Sequence, residues 1–229
     1  DIDSLLNDAW NLCDMLTGDI KMQKYLRMDF DSVRDQYSND LAGSMELASI
    51  STYRKDIFGV YVFGQNGGRY KSNYYSFKSE DQRETTWYKA IAGSRETTWF
   101  PSHEGSFIVR SSISDNFITV GQPVMDKASG MVNGIVAADI KEDVITQKIK
   151  HSLSNGVICI IDQEGSILFR SNAGNDLHYP IDISPSLVSH ILESTGTAVG
   201  KSMVVPDSGY LVVSRTLMNS NWRIAGTID

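Results

Sequence analysis

Six residues have the types and the setting to hold a small molecule: Trp87, Tyr88, Trp99, His103, Arg110 and Asp139. A Trp–Tyr pair supplies large apolar walls with polar tips. Trp99 and His103 fall on a predicted loop beside the same elements. The pentapeptide RETTW occurs at 83–87 and again at 95–99, and its two tryptophans are expected to line one pocket. Asp139 ends the apolar run MVNGIVAADI. Strand alternation puts Ile135, Ala137 and Asp139 on one face and Gly134, Val136, Ala138 and Ile140 on the other. Two readings of Asp139 stand side by side. It points into a cavity, or it caps the helix predicted at 141–153, since Asp is a strong N-cap. Arg110 lies in FIVRSSI with Ser112 on its face. A buried Arg needs a partner, here a ligand, Asp115 or solvent.

Motifs for chemistry on a substrate fail. GTAVGKS resembles a phosphate loop, but Thr195 stands where the first glycine is required. The predicted order there is helix then strand, the reverse of what aims helix N–H groups at a phosphate. His103, His151, His178 and His190 have no metal-ligand spacing to one another or to cysteine. GxSxG, HExxH and CxxC do not occur. The segment is therefore expected to be no enzyme, with no cofactor and no metal.

The chain has 229 residues, 41% hydrophobic and 21% charged, as a globular protein has. Its formal charge of −7, with no basic run longer than a pair, disfavours nucleic-acid binding. No apolar run is long enough for a transmembrane helix. The sequence begins at Asp1 without Met and reads as an excised segment. Cys13 and Cys159 both sit in apolar patterns and read as buried free thiols.

Residues 1–54 carry a helical pattern. Leu5, Ala9, Leu12, Leu16 and Ile20 form one stripe, continued by Val33, Tyr37, Leu41, Met45 and Ala48. MDFD at 28–31 is a candidate bend. Unbroken, roughly 50 residues at about 1.5 Å each would make a rod of about 75 Å. The stripe suits either the fold or a parallel dimer. IFGVYVFG, the turn QNGG and RYKSNYY then form a hairpin. ETTWYKAIAG reads as a short helix closed by a left-handed Gly93. FIVRSSI, FITVGQPVM and MVNGIVAADI are three strands, and KEDVITQKIKHSL is a joining helix. GVICIID, QEG and SILFRS start the pattern again. The helix SPSLVSHILEST and the strands TAVGKSMVV, YLVVSRTL and WRIAGTI complete it. The repeat is thus about 100 residues long, and RETTW is not its unit.

These motifs in this order resemble the extracellular double Cache (dCache) sensor domain of bacterial transmembrane receptors, most of all Gram-positive sensor histidine kinases. IFGVYVFGQNGGRYKSN, WYKAIAG, WFPSH, FIVRSSISD, NGIVAADI and GVICIIDQEGSILFRS carry the resemblance over nearly the whole chain. It implies an α+β fold: a long N-terminal helix packed along two tandem PAS-like (Cache) domains with antiparallel sheets. The implied parts are a helical stalk at 1–54, a membrane-distal ligand-binding domain at 55–140, a connecting helix at 141–154 and a membrane-proximal domain at 155–229. The implied function is a two-component sensor histidine kinase that binds a small molecule outside the cell. A chemoreceptor ectodomain or a ligand-free dimerisation or partner-sensing module is the alternative. Homodimerisation and flanking transmembrane helices belong to the same implication. Amino-acid-binding relatives place an Arg two residues before the Trp-Tyr pair, and an Asp at the end of a GVxxxDI strand. Trp87, Tyr88 and Asp139 match. Thr85 occupies the Arg position, Arg83 lies two residues early, and His103 falls near a missing Tyr.

Overall fold

The computed structural model describes residues 2–52, 54–110, 115–149, 156–173, 183–193, 201–204, 211–217 and 222–228. The fold is α+β, with helices and two five-stranded antiparallel sheets. Two compact units divide it. One is Asp8–Glu142; the other is Asp143–Asp229 together with Asp1–Asn7.

The N-terminal tract forms three helices. Helix α1 (Ile2–Gly18) buries Leu5, Ala9, Leu12 and Leu16 along the predicted stripe. Asp19 is extended and accepts a hydrogen bond from Met22 N at 2.8 Å, which starts α2 (Ile20–Leu26). Ile20 is thereby left exposed. Ser32 caps α3 (Val33–Ser51) by accepting from Asp35 N at 3.2 Å. Residues 27–32 separate α2 from α3, where MDFD suggested a bend.

Helix α3 packs on the face opposite to its apolar stripe. Asn39, Gly43 and Leu47 are buried, whereas Val33, Tyr37, Leu41 and Met45 are 52–85% exposed. Tyr70 explains the choice. Asn39 Nδ2 donates to its hydroxyl at 2.6 Å. A Cβ on Gly43 would stand 2.3 Å from its ring. Only glycine lets the helix come this close.

The first sheet contains β1 (Gly59–Gly64), β2 (Arg69–Lys71), β3 (Thr98–Glu104), β4 (Asn116–Met125) and β5 (Val132–Lys141), in the order β2-β1-β5-β4-β3. Gly67, at φ +90°, turns the β1–β2 hairpin. Helix α4 (Thr86–Gly93) starts at Thr85, whose hydroxyl accepts from Tyr88 N. It ends on an extended Ser94, and Gly93 is not left-handed. TWFPSHE, predicted as loop, is the edge strand β3. Its register shifts between Phe100 and His103, around Pro101. A strand edge with a bulge tolerates the missing proline N–H. FIVRSSI, predicted as strand, shows only a Phe77–Val109 bridge among the described residues, and 111–114 lie outside them.

In the second unit, α5 (Glu142–Ile149) leads to β6 (Gly156–Ile161) and β7 (Ile167–Ala173). Helix α6 (Pro185–Glu193) and strands β8 (Lys201–Val204), β9 (Leu211–Thr216) and β10 (Arg223–Ile228) follow. The order β7-β6-β10-β9-β8 repeats that of the first sheet. Helix α6 covers a core of Val157, Cys159, Ile161, Leu187, Ile191 and Val212. Lys201 and Ser202 of the phosphate-loop look-alike lie in β8. Cys13 and Cys159 are buried free thiols.

Candidate ligand-binding site

Strand β5 carries Asp139 into the interior of the first sheet. Its direct partners are Gly59 on β1 and Thr119 on β4. Antiparallel partners share a face of the pleat, so Asp139, Thr119, Tyr61, Ala137, Phe63 and Ile135 look the same way. Gly59 keeps the spot above it open. A Cβ there would lie 2.4 Å from the Tyr61 hydroxyl, which Asn73 Nδ2 approaches at 2.9 Å.

The Asp139 side chain is fully buried. Ser106 Oγ and Thr119 Oγ1 each lie 2.6 Å from one of its oxygens. Ser106 Oγ also accepts from Ile108 N at 3.1 Å and Val109 N at 3.2 Å. The carboxyl therefore ties the 106–109 segment to the sheet. Helix α5 begins only at Glu142, and both carboxyl oxygens are engaged elsewhere, so the capping reading of Asp139 does not hold. Burial raises its pKa from 3.8 to about 6, opposed by hydrogen bonds from Ser106, Thr119 and Tyr61 and by the charge of Lys78.

His103 extends this network. Its Nδ1 is 2.8 Å from the Gly105 carbonyl and its Nε2 is 3.0 Å from Thr119 Oγ1. The carbonyl only accepts, so Nδ1 carries a proton. Burial lowers the His103 pKa to about 4, so the imidazole is neutral near pH 7. The single Thr119 hydroxyl proton goes to the nearer acceptor, the Asp139 oxygen at 2.6 Å, with His103 Nε2 at 3.0 Å on its other side.

Aromatic rings surround the network. Trp87 is parallel to Phe107 at 6.3 Å, and Phe107 is parallel to His103 at 3.6 Å. Tyr61, Phe63, Trp87, Tyr88 and Ile91 belong to the same buried cluster. Trp87 Nε1 and the Tyr88 hydroxyl have no hydrogen-bond partner among the described residues.

The structure thus brings Asp139, His103 and Trp87 to one face, with Tyr88 in the same cluster. Trp99 is not with them. It pairs with Val120, while its neighbour Phe100 pairs with Thr119. The pleat turns Trp99 to the opposite face, so the two RETTW tryptophans do not form two walls of one pocket. Arg110 is exposed; its N–H bonds the Ser76 carbonyl at 2.8 Å. Ser106, Thr119 and Tyr61 were not singled out from the sequence. Thr119 was findable as a lone hydroxyl inside the apolar run FITV. Ser106 had no such signal, because a bend rather than a strand places it.

No family model matches the chain, and no curated protein matches it. Solved structures do. The ligand-binding domain of the Pseudomonas aeruginosa PAO1 amino acid chemoreceptor PctC, in complex with GABA, superposes with a TM-score of 0.60 at 17% identity, over 100% of this chain and 93% of that one. The ligand-binding domain of Campylobacter jejuni chemoreceptor Tlp3, in complex with L-valine, gives 0.59 at 14% identity, over 99% and 88%. That of Pseudomonas fluorescens chemoreceptor CtaA, in complex with L-leucine, gives 0.58 at 15%, over 100% and 88%. This chain has the Cache-like fold of chemoreceptor ligand-binding domains. No helix among the described residues is long and apolar enough to cross a membrane.

Proposed function

We propose that this chain is the extracellular sensor domain of a bacterial membrane receptor, a two-component histidine kinase, and that it binds a small amine-bearing molecule over the first sheet. The reading rests on one observation above all: a fully buried carboxyl, Asp139, whose near contacts are hydroxyls and not a cation. A buried carboxylate needs charge compensation, and an ammonium group supplies it. Trp87 and Phe107 furnish flat apolar walls, and Trp87 Nε1 offers an unused donor. An exposed Arg110 and Thr85 at the arginine position leave no fork for an α-carboxylate at this place. Amines are therefore favoured over ordinary α-amino acids. Unit 8–142 takes the membrane-distal, ligand-binding role. Binding displaces Ser106 from Asp139 and frees the 106–109 segment, a two-state change of the kind a receptor transmits.

A second reading has support of its own. The ring of Phe107 lies 3.6 Å from that of His103, and Asp139 is fully covered. A site closed in this way suits a module that senses through a partner or through dimer contacts. Homodimerisation fits either reading. The apolar arc of Val33, Tyr37, Leu41 and Met45 on α3 is flanked by the charges of Arg34 and Asp40. A two-fold contact needs about 1,000 Å² in total, and four large side chains from each copy are of that order.

A thermal-shift screen against amines, amino acids, organic acids, purines and sugars separates the readings. The first expects a midpoint shift with an amine that is lost in Trp87→Ala and Asp139→Asn. Absence of any shift across the library favours the second.

A further inference from the structure

The apolar stripe of α1 would run on into Ile20, but the Asp19 cap starts a new helix there and leaves Ile20 84% exposed. Ile20 lines a cleft of about 420 Å³ together with Gln23, Lys24, Arg27, Met28 and Lys127. Gly18, the last residue of α1, completes the lining, and a Cβ there would meet nothing within 4 Å. Every lining residue except Gln23 is exposed, so the cleft opens directly to solvent. Asp139, Ser106, Thr119 and His103 are not part of it.

The cleft has a fixed floor. Gln23 is buried, and its Nε2 donates to the Thr17 carbonyl at 2.8 Å and to the Met125 carbonyl at 3.2 Å. These bonds tie α1, α2 and the end of β4 together. Arg27 is held in turn. Its Nη2 donates to Gln23 Oε1 at 3.4 Å, and its Nε lies 3.3 Å from Asp126 Oδ2. Asp126 is itself set by the Ala128 N–H, which donates to its Oδ1 at 2.7 Å.

Charge narrows the ligand first. Three cations line the cleft and no carboxylate does, in a chain of formal charge −7. Asp126 answers Arg27, whereas Lys24 and Lys127 have no ion pair among the described residues. The clefts beside Asp81 and Arg83 are different, because their cations face carboxylates. Arg69 and Arg83 stand with Glu80 and Asp81 in one, and Arg83 and Lys89 with Asp81 and Glu84 in the other. Apolar surface narrows the ligand further. Ile20 and Met28 join the hydrocarbon stems of the two lysines and the arginine. A small inorganic anion would leave that surface wet, and a neutral hydrocarbon would leave the two ammonium groups unmatched.

We propose that this cleft is a second binding site, for a soluble amphiphilic monocarboxylate, with Lys24 and Lys127 on the carboxylate and Ile20 and Met28 on its chain. A volume of about 420 Å³ is within the range of small-molecule sites. The site does not rest on the amine reading at Asp139.

Calorimetric titration of the protein with octanoate and with decanoate tests it, with acetate, phosphate and octylamine run alongside. The expected result is saturable binding of one octanoate or decanoate per chain, weaker at high salt. The double substitution Lys24→Gln, Lys127→Gln is expected to weaken it at least tenfold, and so is Ile20→Ser. All three side chains are exposed, so the melting midpoint should stay close to that of the native chain. Binding of neither carboxylate overturns the proposal. So does binding of acetate, phosphate or octylamine as tight as that of octanoate, or affinity that survives the substitutions. Asp139→Asn is expected to leave octanoate binding unchanged, and its loss there overturns the proposal. Because Asp139→Asn acts on the other site, failure here leaves the amine reading standing, and the reverse.

Discussion

Asp139 is a charge problem placed inside a sheet. Its pKa is raised to about 6, so the folded state holds a proton that the unfolded chain releases near its ordinary 3.8. The resulting stability is fully present below about 4 and is lost as pH rises through about 6. His103 works in the opposite direction: its pKa, lowered to about 4, favours the fold above 6.5 and stops doing so as pH falls through 4. The two oppose each other between pH 4 and 6, so their effects must be separated by substitution. Asp139→Asn keeps an oxygen for Ser106 or Thr119 and removes the buried charge. It is expected to melt higher than the native chain at pH 7.5, with the gap closing toward pH 4.5. A melting series across that range reads it directly. Ser106→Ala is expected to act elsewhere. It removes the tie that holds the 106–109 segment, so amide hydrogen exchange at Ile108 and Val109 should quicken while the sheet stays protected.

At the scale of elements, helix α3 shows where sequence periodicity misleads. Val33, Tyr37, Leu41 and Met45 have the spacing of a buried face, yet that face is exposed. The buried seam of Asn39, Gly43 and Leu47 is chosen by a single aromatic ring, Tyr70, and no pattern within the helix announces it. Gly43→Ala is therefore expected to destabilise the protein by about 1–3 kcal/mol through overpacking against Tyr70, measurable as a lower urea midpoint. Leu41→Glu is expected to leave stability nearly unchanged and to abolish any concentration-dependent dimer in sedimentation velocity. The hairpin at Gly67, the helix at Thr85 and the alternation of β5 were legible, because turn residues, caps and pleat are local. Strand β3 was not legible. Pro101 argues against a strand unless the edge and the register shift are known, and these are tertiary facts. The same register decided the fate of Trp99, one residue away from the face that Phe100 shares with Thr119. Asp139 was legible from its strand, whereas its partner Ser106 was not.

Over the whole molecule, the sequence repeat of about 100 residues corresponds to two sheets of identical strand order. GVYVFGQNGGRYKSN and GVICIIDQEGSILFRSN form the opening hairpin of each. The two units differ in what they bury on one face of the sheet. The second packs α6 on an aliphatic cluster. The first packs α4 on an aromatic cluster that also surrounds a carboxyl. Among the described residues a buried carboxyl occurs only in the first unit, and an amine ligand is the proposed use. The most direct test is a calorimetric titration of the leading amine from the thermal screen into native protein and Asp139→Asn, at pH 7.5 and again at pH 5. The account predicts binding to the native protein at pH 7.5, about tenfold weaker at pH 5, where Asp139 is protonated, and none to Asp139→Asn. Affinity that is equal at both pH values and persists in Asp139→Asn would contradict it.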